Sequence, residues 1–320
     1  MAIKLGDIYR TVVEKGIAED ARDRAEIDRV LAKARAAYDK LDDGDKEFFD
    51  TEKFTNPYAD TRIALGDAET EVRGVIVGID MEVGEVLLAD RLREKGEPID
   101  LIFAHHPEGA GLANLHEVMY MQADLWAAQG VGIGAADALI EPRAQEIRRR
   151  IMPANHFRTV DAAAHLGFSL LSCHTPADNS VNAFVQRFID EAAPATLEEL
   201  VKALRTIPEY EDAARKGAGP ALISGGASAR PGRMVVDMTG GTEGPTDALE
   251  RLSAAGVGTL VGMHYSEEHR KKAEELKVNL VIAGHVSSDA LGMNLVLDEI
   301  ERAGDIAIYC TSGMVRVKRS

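Results

Sequence analysis

Cysteine is scarce in this chain. Among 320 residues there are two, Cys173 and Cys310, too few for a disulfide framework or a thiolate-built zinc site, and their scarcity predicts a reducing compartment, the cytoplasm. Long apolar runs are missing as well. The opening MAIKLGDIYRTVVEKG has no h-region of a secretory signal, and no stretch approaches the roughly 18 apolar residues that a membrane span needs. Positive charge is in short supply: 37 Lys and Arg stand against 53 Asp and Glu, a formal net charge of −16. Binding to nucleic acid depends on neutralising phosphates with Lys and Arg, so this balance argues against it. Several catalytic signatures are absent too. There is no Gly-x-Ser-x-Gly elbow, no Walker loop and no complete dinucleotide fingerprint. The glycine-rich TGGTEGP (239–245) reads as a turn, and Cys173, inside an apolar run, reads as structural.

What is present is periodic. Over 5–41 the apolar residues Ile8, Val12, Val13 and Ile17, then Ile27, Leu31, Tyr38 and Leu41, fall mostly three and four apart, which predicts helix until Gly44 and Pro57 break the pattern. From residue 72 onward short β-branched runs alternate with amphipathic segments, as in VRGVIVGID, EVLLADRLREKG and IDLIFAHH. That alternation predicts β-α-β units and a largely parallel sheet. The pattern then repeats. Asp80-Met81 after one such run corresponds to Asp237-Met238 after another, His105 corresponds to His264, and SLLSCHTPAD corresponds to NLVIAGHVSSD. The expected architecture is therefore α/β: a helical prefix (1–60), a first lobe (61–193, with an extra segment near 130–167), a linker (194–232) and a second lobe (233–320). The linker carries a capping box at Thr196–Glu199, which should open a helix through about Arg205, with Pro208 closing it.

Three polar clusters follow apolar, strand-like runs: His105-His106, His174-x3-Asp178 and His285-x3-Asp289. The carboxyl ends of parallel strands form the binding edge of an open sheet, so clusters distant in sequence can meet there. Imidazole and carboxylate are the usual ligands of Zn, Mn, Fe and Co, and five or six of them exceed one tetrahedral shell. Two divalent transition metal ions are expected. The competing reading of Asp178 and Asp289 is that they merely cap the helices that follow. His264, at the repeat position of His105, is a candidate proton carrier, and His174 is a second candidate catalytic residue. His156, His165 and His269 read as solvated.

The ordered set of His-His-Pro, His-Thr-x-x-Asp with an Asn-bearing helix, and a late Gly-His-x-x-x-acid resembles the Nif-three-like dinuclear-metal proteins, often labelled GTP cyclohydrolase I type 2-like. The resemblance covers roughly residues 60–320. It implies two related β-α-β lobes facing a shared metal site, a ring-shaped homohexamer, and ligands at His105, His106, Asp178, His285 and Asp289 with His174 close by. The last acid is Asp289 where the family usually carries Glu, and Glu108 follows the His-His-Pro where an aliphatic residue is common. The function implied is hydrolysis of a small molecule, a nucleotide or other heterocycle, by attack of a metal-bridging hydroxide, as in a GTP cyclohydrolase. The alternative is a non-enzymatic metal-binding or regulatory scaffold.

Overall fold

The computed structural model describes residues 3–319. Its strands are β1 (Ile3–Lys4), β2 (Arg62–Leu65), β3 (Glu71–Val72), β4 (Gly74–Gly78), β5 (Leu101–Ala104), β6 (Ser169–Ser172), β7 (Ala221–Ser224), β8 (Arg233–Asp237), β9 (Val257–Gly262), β10 (Asn279–Ile282) and β11 (Ala307–Cys310). The first large sheet has the order β11-β4-β5-β6-β2, parallel throughout except for the edge strand β2. The second has the order β7-β10-β9-β8, with β7 as its antiparallel edge. The chain is thus α/β with two parallel-rich sheets, and each half contributes three consecutive parallel strands.

Successive residues of a strand point to opposite faces, and here both faces find helices. Val75, Val77, Leu101 and Phe103 face inward, where they pack with Ala290, Met293, Val296 and Ile300 of the His285–Ala303 helix. Ile76, Ile102 and Ala104 face outward, against Val86 and Ala89 of the Val83–Glu94 helix and Ala163 of the Arg158–Leu166 helix. The second sheet repeats this arrangement. Val261 and Val281 meet Val181, Val185 and Ile189 of the Thr175–Ala192 helix, whereas Leu260 and Leu280 face an outer helical layer. The Thr175–Ala192 and His285–Ala303 helices therefore lie side by side between the two sheets, each springing from one sheet and packing into the other's core.

The helical prefix is present, but in two main pieces. Leu5–Ala18 is followed by a break in which Asp20 accepts the Arg22 amide and Asp23 caps Arg24–Tyr38 by accepting the Glu26 amide. Leu5, Ile8 and Val12 belong to the inner core, so the prefix is part of the body. Thr196 does cap a helix, Leu197–Leu204, through the Glu199 amide. Pro208, however, opens the next helix, Pro208–Arg215, because its fixed φ and missing N–H suit a first turn. Residues 194–232 are accordingly folded: they supply these two helices and β7.

Between β5 and β6 the chain carries several helices, which divide between the two sheets. The Arg158–Leu166 helix covers the first sheet, while Met121–Ala128 and Ile133–Ile151 reach across to the second, where Trp126, Ile140 and Ala144 pack with Leu249, Leu252 and Leu260. No helix among the described residues is long and apolar enough to cross a membrane.

Candidate metal centre

β5 ends at Ala104, and the two imidazoles that follow are held by backbone donation from the His105 and His106 amides to the carbonyls of Gly78 and Ile79. His105 is buried. Its Nδ1 lies 3.0 Å from the Cys173 carbonyl oxygen. A carbonyl can only accept, so Nδ1 carries the proton and Nε2 presents a bare lone pair. That atom is 3.6 Å from Asp178 Oδ1 and 3.4 Å from Asp289 Oδ1. The same logic orients His106, whose Nδ1 is 2.6 Å from Asp80 Oδ1 while Nε2 faces Asp289 Oδ2 at 3.7 Å.

His174 begins the Thr175–Ala192 helix as its N-cap, and its Nδ1 is 2.8 Å from Asp60 Oδ2. Asp60 is fully buried and also accepts the Thr175 hydroxyl at 2.6 Å. His285 opens the opposing helix one turn before Asp289, with its Nε2 3.6 Å from Asp289 Oδ2. The ring of His264 stands 4.9 Å from that of His285, at the exposed rim.

Six residues thus converge. Ligating atoms of His105, His106 and His174, of His106, His285 and Asp289, and of His105, Asp178 and Asp289 form three groups, each within 4.8 Å. Among the described residues seven buried side-chain polar atoms have no hydrogen-bond partner, and four of them are His105 Nε2, Asp178 Oδ1 and both carboxylate oxygens of Asp289. Buried polar atoms are nearly always satisfied, so this concentration of orphans with aligned lone pairs fits a cation. Helix capping does not account for the acids. The N-caps are His174 and Gly284, Asp178 sits in the first turn of its helix while Asp289 lies beyond that of its own, and Asp178 Oδ1 and both Asp289 oxygens accept no hydrogen bond.

The electrostatics describe a site strained by its own charges. Burial, with repulsion from Asp289 and Asp60, drives the Asp178 carboxyl well above the ordinary carboxylate range, against the pull of His105. Burial acts on Asp289 in the same sense, but His105, His285 and His106 outweigh it and leave that pKa lowered. Burial and the neighbouring rings of His105 and His174 lower His106 to about 4, which keeps it neutral and able to ligate. Burial raises Glu108, at the edge of the cleft, to about 7.

Two of the supporting acids had different visibility in the sequence. Asp80 stood out in the internal repeat, although without a role. Asp60 did not, because it comes from a loop between the prefix and β2, where no periodicity marks it. Asn179 adds a further tie. Its Nδ2 donates to the Gly16 carbonyl and its Oδ1 accepts the Thr239 hydroxyl, linking the prefix to the 239–245 loop beside the site. Of the histidines read as solvated, His165 is exposed and His156 half-buried. His269 is buried, because Ser266 and Glu243 offer its Nδ1 partners at 2.7 and 3.1 Å.

No protein-family model matches the chain, and no curated protein sequence matches it. Solved structures do. A NIF3 superfamily protein from Sphaerobacter thermophilus aligns over 91% of this chain and 98% of its own, with 26% identity and a TM-score of 0.71. The chain shares the NIF3 superfamily fold. Reduced HcgD from Methanocaldococcus jannaschii shares the fold at greater distance, covering 78% of this chain and 87% of its own with 13% identity and a TM-score of 0.50. The His/Asp cluster described above could hold metal ions, and its residues come from segments that follow strands of both sheets.

Proposed function

We propose that the chain is a dinuclear metal-dependent hydrolase of a small molecule, with a nucleotide or other heterocycle as substrate, working as a cytoplasmic homohexamer. The observation that carries this reading is the set of four orphaned atoms on His105, Asp178 and Asp289, flanked by His106, His174 and His285. Six candidate ligands are more than one tetrahedral ion uses. Two divalent transition metal ions, of the Zn, Mn, Fe or Co type, would supply an activated water at neutral pH and offset the negative charge that develops on the substrate.

The chain's own residues do the rest. Asp80 and Asp60 hold His106 and His174 in one tautomer, so that neither ring must reorient during turnover. His264, at the rim and beside His285, is the group placed to pass a proton between solvent and a leaving atom.

The test couples metal analysis of purified protein to a hydrolysis screen that includes GTP. About two ions per chain and a turnover that disappears in His106→Ala, with the fold retained, are the expected results. A fully loaded protein without turnover on any substrate would leave the scaffold reading in its place.

A further inference from the structure

Beyond the cluster, the cleft continues toward the second sheet, and its empty space, open mouth included, is about 760 Å³. Trp126, Leu252 and Met263 give this end apolar walls, and Asp237, Glu243 and Tyr265 give it polar ones. No lysine or arginine is among the lining residues. Arg143, behind the 239–245 loop, donates to the Glu243 backbone carbonyl and pairs with Glu146.

The two acids differ. Glu243 is engaged, since it accepts the Ser266 amide at 2.7 Å and faces His269. Asp237 has no hydrogen-bond or ion-pair partner among the described residues. Its counterpart in the first lobe, Asp80, is used up in orienting His106, whereas Asp237 opens into the cleft. Tyr265 Oη, sealed from solvent on the same wall, is likewise without a partner. The loop opposite is fixed by Gln122, whose Nε2 donates to the carbonyls of Gly240 and Thr242 at 2.7 Å, and Gly240 leaves no room for a Cβ against that side chain.

An end of the cleft that mixes apolar and polar walls, carries an exposed unpartnered carboxylate and an unpartnered hydroxyl, and has no lysine or arginine attracts N–H donors. We propose that this end of the cleft is a specificity pocket for a planar N–H-donor group, an amidine or amino-substituted heterocycle on an apolar body, with Asp237 as its acceptor and Tyr265 beside it. The proposal rests on the hydrolase reading only in taking that group to be part of the substrate, because binding can be measured without turnover.

The probe is benzamidine, with benzoate as its anionic isostere, titrated by calorimetry into metal-loaded protein. Benzamidine should bind, and any benzoate binding should belong to the ions and be lost in Asp289→Asn. A hydrogen bond to a charged partner is at stake, so Asp237→Asn should weaken benzamidine about tenfold or more while leaving metal content unchanged. Tyr265→Phe should weaken it less. Asp289→Asn, which strips a metal ligand, should leave benzamidine affinity within about twofold, since the pocket does not depend on the ions. Equal binding of benzoate that survives Asp289→Asn, absence of benzamidine binding, or a loss of benzamidine confined to Asp289→Asn would overturn the pocket whether or not the protein proves to be a hydrolase.

Discussion

Gly292 meets Ala177 where the two central helices cross, so closely that a Cβ on Gly292 would lie 2.8 Å from the Ala177 carbonyl carbon. Ala177 precedes Asp178, and Gly292 is three residues beyond Asp289. The missing side chain is therefore what lets the two acid-bearing turns approach one another and the same imidazole, His105.

Gly292→Ala tests that contact. Alanine would favour the helix by about 1 kcal/mol, but overpacking against a backbone carbonyl costs about 1–3 kcal/mol, so the steric effect should win. The expected outcome is a lower melting temperature together with reduced metal occupancy. An unchanged metal content would mean that the crossing distance does not set the site.

Asp289 distinguishes ligand from structural acid. Asp289→Asn keeps the shape and removes the anionic donor, and metal affinity should fall at least about tenfold, given that losses of supporting groups alone reach that size. Asp289→Glu should retain metal. Elemental analysis after dialysis reads both, and an Asn variant that holds as much metal as wild type would exclude this carboxylate as a ligand.

Asp60→Asn removes the partner of His174 Nδ1 without emptying space. If His174 ligates, metal affinity should drop by about tenfold to a hundredfold, and if it serves only as the helix's first residue, metal titration will show no change.

Asp237 makes a prediction about pH. Asp237 is exposed at the end of β8, yet crowding by the cleft walls, with Glu243 nearby, raises its pKa to about 6 from an ordinary value near 3.8, and solvent screening keeps the effect on stability small. The folded state thus binds this proton more tightly than the unfolded one, and the associated stability is present at low pH and lost as pH rises from about 4 to 6. Asp237→Asn should raise the melting temperature of metal-free protein at pH 8 and change it little at pH 4. A difference independent of pH would remove this carboxyl as its source.

Assembly can be measured directly. The helix Val83–Glu94 exposes Val83, Leu87 and Leu88, an apolar strip that a second subunit would cover. Light scattering should give a mass well above 34.6 kDa, and six times that value for the hexamer. A monodisperse monomer would refute the assembly.

The parts of this architecture that repeat were readable from sequence, because buried parallel strands announce themselves as short apolar runs and the polar residues fall within two positions of their ends. VIVG, LIFA and LVIA lead to Asp80, His105 and His285 for that reason. Asp60 escaped because a loop residue obeys no period, and β7 and β11 escaped because edge strands with one exposed face carry a weak apolar signal. His269 was misread for a related reason: a polar helix looks solvated until the loop that covers it is known.

β11 joins the first sheet beside β4 after the second sheet is complete. The second sheet is consequently inserted between strands of the first, anchored at two points where an ordinary tandem domain has one. Such a double tether resists swivelling, so the halves of the cluster should keep their spacing without a metal to staple them. It also binds their fates together. Either sheet, if it melted, would strip one side from the shared helix pair, and thermal denaturation should run as a single cooperative step.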